Sequence, residues 1–154
     1  MAPVDRTRST DEAGSVLWPD HCVQNTPGCE LIPELDKSTL HLIVDKGQDP
    51  KVESYSGFGP PFKEPKVSMT SLQDSLRNAG ITEVFVVGLA LDYCVKHTAI
   101  DAAKEGFKTY LVEEATKAVD QSEQALAACR TEMHDAGVLF VDLHSEELQS
   151  IKAG

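Results

Sequence analysis

Short apolar runs punctuate this chain and give the first structural prediction. The run at 84–87 reads VFVV, an uninterrupted apolar stretch typical of a strand buried on both faces. Comparable short runs at 41–44, 108–112 and 138–143 predict further strands. The stretch 47–65 is rich in Gly, Pro and Ser and is predicted to be a long loop, which in compact domains often carries function.

Helical spacing of apolar residues lies between these runs. A helix is predicted to begin at Thr70, whose distance to Gln73 suits a capping box, and to end at Gly80. Further helices are predicted at 95–105, 122–136 with Ser122 as N-cap, and 146–152, with a single helical turn at 31–35. Because strands and helices alternate, the pattern predicts an α/β fold with three layers, α/β/α, around a mainly parallel sheet.

The charge balance limits the partners of the chain. It has 25 acidic and 14 basic residues and a net charge of −11. This disfavours nucleic acid and anionic membrane surfaces, because phosphate groups are bound by basic patches. No apolar run approaches the roughly 20 residues of a membrane-spanning helix, and residues 1–15 lack the apolar core of a secretory signal. We expect an irregular arm at 1–16 and one domain over 17–154, in the cytoplasm, with nucleus and peroxisome left open.

Four cysteines, Cys22, Cys29, Cys94 and Cys129, show no paired zinc spacing and no disulfide-rich density. Cys94 follows the strand at 84–87 and a Gly-containing turn, directly before a predicted helix. Unpaired N–H groups and the helix dipole stabilise a thiolate there, so this cysteine is a candidate nucleophile. The alternative is a buried structural cysteine at a strand end. Cys22 and Cys29 are predicted to be structural.

Three stretches together point to a family. Residues 17–28 contain WPDHC followed by TPG, residues 46–50 and 54–58 read KGQDP and SYSGF, and residues 88–95 read GLALDYCV. In order and spacing these strings resemble the nicotinamidases of the isochorismatase-like cysteine hydrolase superfamily. The resemblance covers residues 17–143. It implies an isochorismatase-like α/β/α fold and hydrolysis of nicotinamide to nicotinate and ammonia, a step of NAD salvage.

The resemblance also implies catalytic roles. Cys94 would attack the carboxamide carbon, and Lys46 would stabilise its thiolate. The backbone N–H groups of Ala90 and Cys94 would form the oxyanion hole, and the peptide between Leu89 and Ala90 would be cis, as in the family. Judged by composition alone, Lys46 would be a surface lysine. Asp92 is predicted to cap the helix after Cys94 rather than to act as a base.

Substrate and metal ligands follow from the same resemblance. Trp18 and Tyr55 would form aromatic walls around the nicotinamide ring, and His21 would bind zinc or another divalent metal. Without the resemblance, a single histidine is more often an ordinary loop residue, since one ligand does not make a metal site. The two aromatic residues could equally anchor their own loops.

Two family features have no match in this sequence. Members begin with a strand that ends in an Asp, the general base, and continue with an Asp-x-His pair of metal ligands. Asp5 and Asp11 follow no apolar run, so neither takes the base role. We therefore expect an N-terminally truncated nicotinamidase that is inactive alone. The alternatives are a non-catalytic module retained for binding or oligomerisation, and an amidase of the same superfamily with another substrate. Homo-oligomer formation is left open.

Overall fold

The computed structural model describes residues 18–61 and 67–152. The described residues before Ile43 and those from Ile43 onward belong to two separate compact units. The predicted arm at 1–16 lies outside the described residues. The predicted domain over 17–154 therefore stays a prediction, and each unit is described below by itself.

Three strands form the sheet of the described residues: β1 at Glu83–Leu89, β2 at Lys108–Lys117 and β3 at Leu139–Val141. β2 lies in the middle and pairs in parallel with both neighbours. The register of β1 against β2 shifts between Val86 and Gly88, so the last residues of β1 follow an irregularity. The parallel sheet is confirmed, although β2 is longer and β3 shorter than predicted.

Helices connect the strands as the alternating pattern predicts. They are α1 at Leu72–Asn78, α2 at Lys96–Lys104, α3 at Glu123–Asp135 and α4 at Glu146–Lys152. In chain order, α1 precedes β1, α2 lies between β1 and β2, and α3 lies between β2 and β3. The α/β fold is thus confirmed. No helix within residues 18–61 and 67–152 is long and apolar enough to cross a membrane.

Two of the predicted helix ends are confirmed: Gly80 follows α1 with φ +70° and its N–H bonded to the Arg77 carbonyl at 3.0 Å, and Ser122 precedes α3. The Ser122 hydroxyl accepts the backbone N–H three residues later at 3.3 Å, which makes it the N-cap of α3 as predicted. The first helix, by contrast, begins at Leu72 rather than at Thr70. The Gln73 amide donates to the Glu105 carboxylate instead of turning back, so the capping box is wrong. The Gln73 side chain, which the local pattern assigned to the cap, thus makes a tertiary contact with the end of α2 instead.

The core is made by the turn before α2 together with α2, β2, α3 and the start of β3. Its main cluster of buried residues is Leu91, Val95, Ala99, Leu111, Ala118, Cys129, Met133 and Val138. A second cluster joins Phe58, from the loop before α1, to Ala102 and Phe107 around the end of α2. The predicted long loop is therefore anchored to α2 through a buried aromatic ring, which matters for the site below.

Two predicted elements are wrong. Residues 41–44 form no strand, and Leu42 and Ile43 are 50% and 59% exposed. A strand is stable only if its N–H and C=O groups find partners, and no strand among the described residues pairs with this run. Residues 31–35 form a turn instead of a helix, and the short 3₁₀ helices of this region lie at Pro27–Cys29 and Lys37–Thr39.

Candidate active site

Cys94 lies in a single π-helical turn, Leu91–Val95, that joins β1 to α2. Ala90 is extended, with φ −96° and ψ 142°, and its carbonyl accepts the backbone N–H groups of Tyr93 at 3.1 Å and Val95 at 3.0 Å. Leu91 and Val95 are buried in the main core, whereas Cys94 is only half-buried. The turn thus anchors its apolar residues and leaves the thiol partly accessible, in the place the sequence predicts.

The peptide between Leu89 and Ala90 is cis, as the resemblance implies. The first N–H groups of a helix have no partner inside the helix. The backbone around Ala90 and Cys94 therefore lies where N–H groups can bind a developing oxyanion. Their assignment to an oxyanion hole stays a prediction.

Tyr55 packs beside the Cys94 turn. Its ring stacks on the His97 ring, with centroids 5.5 Å apart and planes 20° apart, and it also meets the Tyr93 ring at 5.3 Å. Two residues further on, the Gly57 N–H donates to the Thr98 hydroxyl at 2.9 Å. The loop that carries Tyr55 is therefore attached to the first turn of α2, one turn of helix after Cys94.

Lys46 is half-buried, and its ammonium donates to the Ser54 carbonyl at 3.0 Å, next to Tyr55 in the chain. Lys46 also lines a surface cleft of about 430 Å³ whose walls are Asp45, Lys46, Gly47, Gln48, Asp49, Pro50, Ser68, Met69 and Thr70. Lys46 follows no strand, because the strand predicted just before it at 41–44 does not form. Its catalytic role stays a prediction, and the contact shown is with the Tyr55 loop.

Asp92 does not cap its own helix, and the prediction that it does is wrong. Its two carboxylate oxygens accept the backbone N–H groups of Val119 and Asp120, both at 2.9 Å. The N-cap position of the turn belongs to Ala90. Asp92 instead ties the segment after β2 to the Cys94 turn, and since both oxygens are engaged by backbone donors, the side chain is poorly placed to act as a base.

Trp18 and His21 lie in the unit before Ile43. Their rings meet edge to face, with centroids 6.3 Å apart, and the exposed His21 ring contacts the Pro19 carbonyl through Nδ1 at 2.7 Å. This contact leaves Nε2 of His21 as the nitrogen open to a metal. The roles assigned to these two residues stay predictions.

A zinc site does not fit the described residues. Residues 18–61 and 67–152 contain no group of three or more His, Cys, Asp or Glu side chains that could hold a metal ion. Structural and catalytic zinc both need three or four protein ligands. His21 alone therefore makes no site.

Two side chains near the Cys94 turn have shifted pKa values, caused by desolvation and by neighbouring charges. Partial desolvation by the groups packed around the His97 ring, whose residue is otherwise exposed, and the neighbouring Lys96 ammonium lower the pKa of His97, because both disfavour the charged imidazolium. Burial raises the pKa of the Cys129 thiol, whose sulfur contacts the Leu91 carbonyl in the core at 3.7 Å. Cys129 is thus a structural cysteine behind the Cys94 turn, whereas Cys22 and Cys29 are exposed.

The sequence analysis missed His97 and Thr98 as parts of the site. Thr98 had a usable signal, since a threonine four residues after another helical residue can donate to that residue's carbonyl. Its hydroxyl does so to Cys94, at 2.6 Å. No local sequence signal indicated His97, because its partner Tyr55 is distant in the sequence.

Comparison with known proteins places the chain in a family. The isochorismatase domain model matches residues 3–142. A nicotinamidase of Escherichia coli (strain K12) is 39% identical over 133 residues, which are 86% of this chain and 61% of that protein.

Two solved structures are similar as well. A pyrazinamidase of Pyrococcus horikoshii in complex with zinc superimposes with a TM-score of 0.68 at 36% identity, covering 82% of this chain and 64% of that one. A protein of L. infantum in complex with nicotinate superimposes with a TM-score of 0.74 at 37% identity, covering 84% and 63%. The chain therefore spans less than two thirds of the length of each of these relatives. With the domain model matched over most of its length, the chain belongs to the isochorismatase domain family.

Proposed function

We propose that the protein represented by this chain is a nicotinamidase, which hydrolyses nicotinamide to nicotinate and ammonia. The observation that carries the proposal is the half-buried Cys94 in a turn between β1 and α2, with the Tyr55 loop attached to the same turn. The similarity to an E. coli nicotinamidase and to a nicotinate-bound protein supports this substrate.

The chemistry follows from the position of the thiol. The Cys94 sulfur adds to the carboxamide carbon, the C–N bond breaks, and the thiol proton leaves with the nitrogen as ammonia. Water then hydrolyses the thioester, which releases nicotinate and restores the thiol. Backbone N–H groups at Ala90 and Cys94 would bind the oxyanion in both steps. Tyr55, with its ring beside Tyr93 and His97, would bind the flat pyridine ring.

A metal ion is part of the proposal only under one condition. The relative from P. horikoshii is in complex with zinc, but the described residues of this chain do not form such a site. Zinc or another divalent ion therefore belongs to the proposal only for a protein in which further residues complete the ligand set around His21. The place of the reaction in NAD salvage and the cytoplasmic location are likewise proposals.

Residues 1–154 alone are expected to hydrolyse nicotinamide at a negligible rate. The resemblance matches Cys94 and Lys46 but assigns no base, and general acid–base catalysis is worth about 10²–10⁴-fold. The Lys46 ammonium group can stabilise a thiolate but has no lone pair with which to accept its proton. The non-catalytic module remains the second candidate, and the missing metal group among residues 18–61 and 67–152 is the observation that favours it.

Ammonia release from nicotinamide tests both candidates. We would measure the purified chain with and without zinc, and the same chain preceded by a family segment that supplies the Asp-ending strand and the Asp-x-His pair. The extended protein should turn over nicotinamide, Cys94→Ala should reduce the rate by at least about 1,000-fold, and Cys29→Ala, at an exposed thiol, should leave it unchanged. An inactive extended protein would support the binding module. Turnover of another amide but not of nicotinamide would indicate a different amidase.

A further inference from the structure

One hydroxyl joins the Cys94 turn to the Tyr55 loop. The Thr98 hydroxyl donates to the Cys94 carbonyl at 2.6 Å and accepts the Gly57 N–H at 2.9 Å. A threonine hydroxyl has one proton to donate, and here that proton is committed to Cys94 while an oxygen lone pair is committed to Gly57. The two residues it connects are 37 positions apart (94 − 57), so the link is tertiary and not a local helical feature.

The loop approaches α2 closely at this point. A Cβ atom at Gly57 would lie 3.5 Å from the Thr98 methyl group and 3.2 Å from a Leu72 methyl group, so the backbone here runs nearly in contact with both helices. The Thr70 hydroxyl donates to the Gly57 carbonyl at 2.6 Å. The Gly57 residue is thus held through its N–H by α2 and through its C=O by a residue just before α1.

The same loop is held a second time at Tyr55. The stacking of the Tyr55 ring on His97 places two consecutive residues of α2, His97 and Thr98, against two positions of one loop. Phe58, which is 3% exposed, anchors the loop in the core immediately beyond. Hydrogen bond, ring stack and buried ring together leave little freedom for Tyr55 to move relative to Cys94.

We infer that Thr98 is a positioning residue of the proposed amidase, which sets the Cys94 backbone and the Tyr55 loop relative to each other. The inference rests on the proposed function, in which Cys94 is the nucleophile and Tyr55 binds the substrate ring. Thr98 itself touches neither substrate nor reacting atoms. It holds the carbonyl of the nucleophile and, through Gly57, the loop that presents the aromatic ring.

Three variants isolate the hydroxyl. Thr98→Val keeps the shape and removes both hydrogen bonds, while Thr98→Ser keeps the hydroxyl and removes a methyl group. Thr131→Val is the matched control, because the Thr131 hydroxyl donates to the carbonyl four residues earlier on α3, at 3.0 Å, on an exposed face. The readouts are hydrogen exchange of the Gly57 amide by NMR and the rate of Cys94 alkylation by iodoacetamide as a function of pH, followed by peptide mass spectrometry. Neither needs turnover, so the result is independent of whether the chain hydrolyses nicotinamide.

In Thr98→Val, the Gly57 amide should exchange at least about tenfold faster, since its acceptor is gone. Alkylation of Cys94 should slow at least about threefold at neutral pH and match the unaltered chain at alkaline pH, where every accessible thiol is ionised, because a loosened turn orients its N–H groups less well toward the thiolate. Thr98→Ser should restore both values, and Thr131→Val should change neither.

Exchange and alkylation within about twofold of the unaltered chain in Thr98→Val would overturn the inference, as would failure of Thr98→Ser to restore them or an equal effect of Thr131→Val. If Thr98→Val does not fold, hydrogen exchange of the Gly57 amide in the unaltered chain and in Thr98→Ser tests the inference. A Gly57 amide that exchanges as fast as an unstructured glycine contradicts the link. Protection of at least about 100-fold, retained in Thr98→Ser, supports it.

Discussion

The Cys94 turn and the segment 18–42 are built in opposite ways. Around Cys94, the stabilising contacts join residues far apart in the chain: Thr98 with Gly57, and Asp92 with Val119 and Asp120. In segment 18–42, every residue after Trp18 is exposed. The side-chain hydrogen bonds of His21, Thr26 and Asp36 in this segment span two or three residues.

The difference shows what holds a site in place. Long-range contacts onto a sheet and a buried core define the position of Cys94 against its neighbours, since loosening one contact leaves several others. Local turns define the shape of the loop in which they occur. The Cys94 turn is therefore held by several elements of its own unit, whereas the contacts described for His21 join it to Trp18 and Pro19, its neighbours in the chain.

The largest expected effect is on stability and separates the two regions directly. Leu111→Ala should lower the free energy of unfolding by about 3 kcal/mol, because the side chain is fully buried in β2 and its removal leaves a cavity. Leu42→Ala, at a side chain that is 50% exposed, should change it by less than about 0.5 kcal/mol. Urea denaturation followed by circular dichroism measures both. Equal losses would mean that segment 18–42 is packed as tightly as the core.

Asp92→Ala tests the long-range hydrogen bonds. Removal of the carboxylate leaves the Val119 and Asp120 N–H groups without their acceptor, and we expect a loss of about 2 kcal/mol in unfolding free energy. Asp36→Ala is the counterpart in the other region, since the Asp36 carboxylate accepts from the backbone N–H and the hydroxyl of Ser38, two residues away. The Asp36→Ala variant should lose clearly less unfolding free energy than Asp92→Ala in the same denaturation assay. A reversal of this order would argue against the comparison.

Thiol reactivity gives the third contrast. Cys94 should react at least about fivefold faster than exposed Cys22 and Cys29, because it lies at a helix N-terminus, where a thiolate is stabilised. Cys129 should react slowest, since burial raises its pKa and shields the sulfur. Substoichiometric alkylation with peptide mass spectrometry gives the order. Predominant labelling of Cys22 or Cys129 would contradict the assignment of Cys94 as nucleophile.

The smallest effect concerns His97. Its pKa is lowered by partial desolvation of the ring and by Lys96, with Lys104 acting in the same direction and Asp101 and Glu132 opposing. Its NMR titration should therefore have a midpoint below 6.5, the ordinary value. Removal of the stacked ring in Tyr55→Ala should move the midpoint toward 6.5, whereas an unmoved midpoint would mean that the stack does not desolvate His97.

The sign of the linked stability effect follows from the same shift. A lowered pKa means that the folded chain binds the proton less readily than the unfolded chain does. The contribution of His97 to stability is therefore present above pH 6.5 and is lost as the pH falls through the folded-state pKa. Urea denaturation of the unaltered chain and of His97→Gln, at neutral and mildly acidic pH, should show a weaker pH dependence in the variant.

The sequence pattern correctly predicted those elements that depend only on residues close together in the chain. The apolar run of β1, the Ser122 cap and the Cys94 position between strand and helix were all readable, because each depends on a few neighbouring residues. The strand at 41–44 failed for the opposite reason, since a strand exists only with a partner. The Asp92 cap failed because backbone donors 27 and 28 residues away took its carboxylate.

The sequence by itself determined the parallel α/β architecture, the family and the identity of the candidate nucleophile, since periodicity and motif spacing are properties of the chain alone. Tertiary structure alone decided which side chains surround that nucleophile. Thr98 meets Gly57 and His97 meets Tyr55 only because the loop before α1 folds back onto α2, with Phe58 buried at its end. A hydrogen bond across 41 residues depends on the packing of the core, and no local pattern encodes it.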